Sequence, residues 1–579
     1  MNSTFNARLE DLVVQIYPDE DAAELADRIC QAFWPGDLPM RKRARAPSNN
    51  MWSERDAMVI TYGNSIVDGM HKPLDLLQDF LKRELAGVIN GVHILPFFPF
   101  TSDDGFAVTD YRAVNPQLGD WTDIRRIGAR FNLMSDLVLN HVSSQSGWFN
   151  GYLQGHAPYD RFFFEASPDD DLSTVVRPRT HPLLREVETA NGTRHVWCTF
   201  SHDQVDLDFR NPEVLLEFLR IMRLHVQNGV RIIRLDAVAF IWKQAGTPSI
   251  HLPQTHAIVR LMRLLCDFAH EPIILLTETN VPNAENLSYF GNRNEAHAVY
   301  NFSLPPLLLH AVQSGTAHYL NRWQATMPPA QLGCAYLNFS ASHDGIGMRP
   351  AEGILPPDEI AAMIESVGAH GGLVSMRSMP DGTQQPYELN TTWFDAMRAR
   401  FGAGEDGHQM ARFLASQSIV LALEGIPAFY IHVLLATAND LAGVEKTGVN
   451  RAINRHRWDY PELSARLADP HSTEATALRE LTRRIMIRGH QPAFHPNATQ
   501  FTLQVDHRIF GLWRQSLDRD QSIFALHNVS ADTVAIDPGT INLIDGDPWR
   551  DLLSGEKIAT QGTPIEFAPY QCRWITNRG

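Results

Sequence analysis

The sequence predicts an α/β protein: a (β/α)8 barrel with inserted subdomains after its third and seventh strands and an all-β domain at its C-terminal end. Three observations carry this. Eight short apolar runs recur with helix-forming segments between them. Two of the connections far exceed the few residues usual between elements. From about residue 495 the texture becomes an alternation of apolar and polar residues broken by turn formers.

In chain order, residues 6–33 alternate apolar and charged positions at helical spacing, and "RKRARAPSNN" follows with Pro47, Ser48 and two asparagines. Residues 1–50 therefore read as a helical N-terminal extension ending in a solvated linker. The strand runs are "AMVITY" (57–62), "GVHILPFF" (91–98), "NLMSDLVLNH" (132–141), "VRIIRLDAVA" (230–239), "PIILLTETN" (272–280), "AHAVYNF" (296–302), "AYLNFSASHD" (335–344) and "GIPAFYI" (425–431). The sixth is weak by pattern alone. The barrel then spans 51–142, 211–344 and 406–494, with one subdomain inserted at 143–210 and a second at 345–405. Residues 495–579 read as a β-sandwich-like domain.

Composition narrows the class. The 579 residues are 44% hydrophobic and 20% charged, ordinary for a soluble globular chain. A formal net charge of −16 argues against a general nucleic-acid or membrane-surface binder, so an anionic ligand needs a local cationic pocket. The five cysteines are scattered without C-x-x-C spacing, which favours a reducing cytoplasm over a disulfide framework. The N-terminus carries acids where a signal peptide needs basic residues, and no window reaches the roughly 18 apolar residues of a membrane span.

The unexpected charges gather at strand ends. Arg234 and Asp236 sit two apart within an apolar run, on one side of a strand. A buried strand excludes charge unless it is paired or functional, and the spacing alone leaves a structural ion pair and a functional group both open. Asp136, Asn140 and His141 end the third run, Glu278 the fifth, and His343 with Asp344 the seventh. Caps, turns and core histidines account for each singly. Barrel enzymes, however, place catalytic groups at these ends, so three carboxylates from three strands point to one pocket.

"DLVLNH" (136–141), "VRIIRLDAV" (230–238), "LLTETN" (275–280) and "FSASHDGIG" (339–347) resemble the four short regions of the α-amylase superfamily, glycoside hydrolase family 13. "GVHILPFFPFTSDDGFAVTDY" (91–111), "VRPRTHPLL" (176–184), "GIPAFYI" and "NRAINR" (450–455) are similar to its sucrose-phosphorylase-like subfamily, retaining glucoside phosphorylases. The resemblance implies Asp236 as nucleophile, Glu278 as acid/base and Asp344 as transition-state stabiliser, with Arg234 holding Asp236 ionised. It implies a raised pKa for Glu278 from neighbouring carboxylates. It also implies a glucosyl subsite of Phe98, His141, Arg234 and His343, closed at its far end by an Asp103–Arg451 pair. On the phosphate and acceptor side it implies Arg179, with Arg177 beside it, and Phe200, Gln204, Gln384, Gln385, Tyr387 and Glu388.

Phosphate at neutral pH needs fixed donors, and arginine suits it. Sucrose-active members carry Gln where this chain has Glu388, which turns the expectation toward small-polyol glucosides. Glycerate-using members are expected to place an arginine at the position of Gln384. Gln384 and Gln385 are neutral, so the first expectation is glucosylglycerol, then glucosylglycerate with Arg377 as a nearby cation, then sucrose or sucrose 6′-phosphate, then an α-glucosidase or transglucosidase. Asn140 stands where amylases hold calcium, but the subfamily is not usually calcium-dependent, and neither metal nor cofactor is expected. The expected partners are inorganic phosphate, glucose 1-phosphate and a small α-glucoside, with no nucleic acid or membrane, for a cytoplasmic monomer or homodimer.

Overall fold

Strands of a parallel barrel are covered by side chains inside and helices outside, so they read as nearly continuous apolar runs. Each of the eight runs forms such a strand: β1 (Met58–Thr61), β2 (Gly91–Ile94), β3 (Asn132–Val138), β4 (Val230–Asp236), β5 (Ile274–Thr277), β6 (Ala298–Tyr300), β7 (Ala335–Asn338) and β8 (Ile426–Tyr430). They pair in parallel, each with its sequence neighbour, and β8 returns to β1 to close the barrel. Even the strand of the weak sixth run is wholly buried. The computed structural model describes residues 3–34, 41–46, 51–379, 382–541, 543 and 548–578. Pro47 to Asn50, assigned above to a linker, lie outside these.

Register decides what the site receives. Asp136 on β3 lies directly across from Arg234 on β4, and Val138 across from Asp236. One irregularity between Leu133 and Met134 sets this alignment. Past the strand ends the chain makes the site's loops. After β3, His141–Ser143 pairs antiparallel with Gln204–Asp206, and a hairpin (Leu184–Thr189 with Gly192–Trp197) lies between them. After β7, Ile346–Gly347, Leu373–Ser378 and Gln384–Asn390 form a three-stranded antiparallel sheet with the helix Pro357–Ala369 in its connection.

The N-terminal segment is packed on the barrel. Helix α1 (Ser3–Ile16) buries Phe5, Leu9, Val13 and Ile16, one face at helical spacing. The Phe5 ring meets Phe268, the last residue of the barrel helix Pro253–Phe268, edge-on at 4.9 Å. Helix α2 (Ala22–Phe33), capped by Asp21 accepting from the Glu24 N–H, packs on the barrel helix Pro212–Gln227. Farther along, the backbone N–H groups of Arg41 and Arg45 donate to carbonyls of Phe268 and Asp267, so this basic stretch lies along the barrel wall. At the other end, Thr499–Leu503, Ile509–Gln515, Ser522–Asn528, Cys572–Thr576 and Arg550–Asp551 form an antiparallel sheet with its own core around Phe524, Trp549 and Phe567. No helix of the described residues is long and apolar enough to cross a membrane.

Candidate active site

At the C-terminal ends of the strands lies a cavity lined by Asp103, Phe106, His141, Arg179, Phe200, Gln204, Asp236, Ala237, Glu278, Asn280, His343, Asp344, Tyr387, Glu388 and Arg451. Its floor is a buried charge network. Arg234, 3% exposed, donates through Nη1 to Asp236 Oδ1 at 2.6 Å and to Asp136 Oδ1, and its Nη2 is 4.0 Å from Glu278 Oε1. Asp136 also accepts from His93 Nε2 on β2 at 2.7 Å. Burial pushes the Asp136 carboxyl up, but Arg234 and His93 outweigh it and hold it down at about 2.

Asp236 and Glu278 share this guanidinium. Burial raises both from their usual values, Asp236 the more strongly, with Arg234 opposing and the neighbouring carboxyls adding to the rise. The direct bond from Arg234 favours the anion at Asp236, whereas Glu278 has the guanidinium only at 4.0 Å. Ala237 turns the chain after Asp236 with φ +49°, a left-handed conformation rare without glycine. That turn presents its N–H to Glu278 Oε2 at 3.0 Å and fixes the second carboxyl beside the first.

Asp344 stays ionised: burial raises its pKa, but Arg451, Arg455, Arg234 and Arg179 bring it below the usual value. His343 stacks on Phe106 with centroids 5.0 Å apart and planes 5° from parallel. Burial depresses both pocket histidines, His343 well below its usual value and His141 to about 4, so both are neutral near pH 7.

Several expected positions are corrected. Phe98 is fully buried against His225 and Tyr111, away from the cavity, and Phe106 occupies the wall instead. Arg451 reaches Asp103 only at 4.0 Å, the long limit of an ion pair, and its shorter contacts go elsewhere. It donates from Nη1 to Asp344 Oδ1 at 2.6 Å and grips both Glu388 oxygens, Nε to Oε2 at 3.0 Å and Nη2 to Oε1 at 2.5 Å. Arg455, four residues on, comes nearer to Asp103 at 3.7 Å, donates to Asp104 at 2.8 Å and holds the His343 carbonyl. Gln204 sits beside Asp103 and His141, its amide nitrogen 3.4 Å from Asp103 and 3.1 Å from His141 Nε2. Gln384 and Gln385 are exposed on their strand and do not line the cavity. Arg377, bound to Glu352 and Gln385, is likewise outside it, as is Arg177.

Arg179 does reach the cavity. Its guanidinium lies over the rings of Phe200 at 5.7 Å and Tyr387 at 5.2 Å and donates to the Pro178 carbonyl. Beneath the site, the buried Lys243 ammonium donates to Asn140 Oδ1, Asp206 Oδ2 and the Phe240 carbonyl at 2.9–3.0 Å, filling the place where Asn140 would offer oxygen to a cation. Among the described residues no group of three or more His, Cys, Asp or Glu could hold a metal ion.

Residues 67–344 match the α-amylase catalytic domain family. A glucosylglycerate phosphorylase of Spirochaeta thermophila is 42% identical over 98% of both chains. The chain belongs to the α-amylase superfamily, in its sucrose-phosphorylase-like branch. It is a phosphorylase-type glycosyltransferase. A glucosylglycerol phosphorylase of Marinobacter adhaerens is 29% identical over 72% of this chain and 84% of its own. The crystal structure of a sucrose 6F-phosphate phosphorylase from Thermoanaerobacter thermosaccharolyticum superimposes with TM-score 0.71 at 23% identity, covering 89% of this chain and 98% of that one, a likeness of fold.

Proposed function

We propose that this superfamily member is a glucosylglycerate phosphorylase, converting an α-glucosyl glycerate and inorganic phosphate to α-glucose 1-phosphate and glycerate. Asp236 attacks the anomeric carbon. The bond to the glycerate oxygen breaks, and its electron pair takes the proton held by Glu278. Phosphate oxygen then attacks the same carbon, the ester to Asp236 breaks, and the pair returns to Asp236 while Glu278 recovers a proton from phosphate. Two displacements retain the α configuration. Asp344, His141 and His343 hold sugar hydroxyls, and Asp103 with Arg455 closes the pocket on a single ring. The mechanism needs no metal or cofactor, because two carboxyls and one guanidinium supply the nucleophile, the proton and the charge control.

Arg179 faces the cavity with no carboxylate within ion-pair distance among the described residues, a cation available to an anionic acceptor or to phosphate. The 42% identity across the full length of a glucosylglycerate phosphorylase supports the same acceptor. The expectation of glycerol rested on neutral Gln384 and Gln385, neither of which lines the cavity. Release of glucose 1-phosphate from glucosylglycerate, glucosylglycerol and sucrose, with and without phosphate, tests the proposal. Phosphate-dependent product from glucosylglycerate above the others is expected. Free glucose at equal rates with and without phosphate would mean a glucosidase.

A further inference from the structure

The proposed reaction brings two anions to one cavity, glycerate and phosphate, and the cavity itself carries a surplus of carboxyl groups. Of the two arginines lining it, Arg451 is committed, with Nε and Nη2 on Glu388 and Nη1 on Asp344. The arginines behind the wall are committed too, Arg234 to Asp136 and Asp236 and Arg455 to Asp104. Arg179 alone among these has no carboxylate within ion-pair distance among the described residues. It spends one donor on the Pro178 carbonyl, and its guanidinium carbon lies 5.7 Å from the Phe200 ring centroid and 5.2 Å from that of Tyr387, contacts that use none of its remaining N–H donors.

We propose that Arg179 is a shared anion clamp, holding the glycerate carboxylate in the first half-reaction and inorganic phosphate in the second. This rests on the glucosylglycerate reading above. Both anions accept paired N–H groups from a planar guanidinium fork. They also meet the anomeric carbon from the same side, because glycerate departs opposite the attacking Asp236 and phosphate must enter opposite the Asp236 ester. The two are never needed together, so one cation serves both. In a chain of net charge −16 this lets a single guanidinium draw in both ligands without a second fixed cation.

The test uses α-glucosyl fluoride, a donor carrying neither anion, to load the enzyme, and measures how the glucosyl group partitions among glycerate, phosphate and water. In the wild-type protein, glycerate is expected to compete with phosphate for the loaded enzyme. In Arg179→Ala the glycerate-to-water and phosphate-to-water ratios are expected to fall together, each by roughly a hundredfold, the loss of a charge-assisted pair. Arg179→Lys, keeping charge without the fork, should restore part of both. A fall in the phosphate ratio alone would overturn the shared clamp and leave the phosphorylase reading standing. Unchanged ratios, or non-competitive inhibition in the wild-type protein, would overturn it as well. Wild-type transfer to phosphate but not to glycerate would instead sink the acceptor reading.

Discussion

The two halves of the cavity are built on different principles. The glucosyl half grows from strand ends: Asp136, Arg234, Asp236 and Glu278 lie on or immediately after β3, β4 and β5, and register places them against one another. Its charges are buried and mutually bound. The acceptor half is assembled from loops, with Arg179 and Phe200 from the insertion after β3 and Tyr387 and Glu388 from the sheet after β7. There the principal cation is held by ring faces and one carbonyl. Bond chemistry shared across glucosides belongs on a rigid frame, and the choice of partner belongs on loops that change without disturbing it.

If that division holds, the largest losses come from the frame. Asp236→Asn removes the proposed nucleophile while keeping its shape. Turnover is expected to fall on the order of 10⁴-fold or more with the fold intact, read by steady-state rates alongside circular dichroism. Residual activity near wild type would place the nucleophile elsewhere.

Glu278→Gln sharpens the division within the frame. The carboxyl works protonated, and burial raises its pKa, so the basic limb of the rate should fall at a higher pH than for an unperturbed glutamate. Asp236 must be ionised and contributes the acidic limb. The variant should lose the basic limb and about 10²–10⁴-fold in rate on glucosylglycerate. The loss with α-glucosyl fluoride, whose leaving group needs no proton, should be far smaller. Equal losses on both donors would refute the acid role.

Stability is the next expected effect. Asp136→Asn removes a fully buried anion shared by Arg234 and His93, and about 3 kcal/mol of unfolding free energy should go with it. The sign with pH follows from a folded pKa of about 2, below the unfolded value of 3.8. The anion's contribution is present above pH about 4 and lost as pH falls through about 2. Urea titrations of both proteins across that window should converge at its acid end.

The division also explains what the sequence discloses. All eight strands are legible because barrel strands are buried on both faces, and charged residues at their ends stand out against apolar runs. The loops carry no such contrast. Arg451 and Arg455 both fit "NRAINRHR", and only packing reveals that one grips Glu388 and Asp344 while the other backs Asp103 and His343. Phe98 and Phe106 are both aromatic residues after β2, yet one turns into the core and the other into the cavity. Gln204 lies in an insertion but reaches across to His141 because its strand pairs with His141–Ser143. Gln384 and Tyr387 share one strand, and alternation with the irregularity opposite Met376 decides which reaches the site.

The smallest effect probes the acceptor half where it is most distinctive. Tyr387 presents its ring to Arg179, and a cation–π contact of this kind is worth about 0.5–2 kcal/mol, or about two- to thirtyfold in affinity. Tyr387→Ala should raise KM for phosphate by such a factor with a smaller change in kcat, since the ring orients the anion's partner and does not touch the reacting carbon. Tyr387→Phe keeps the face and should stay close to wild type. If the Phe variant is as impaired as the Ala variant, the phenol oxygen matters more than the ring. The acceptor half would then be organised by hydrogen bonds, as the glucosyl half is, and the contrast between the two would fail.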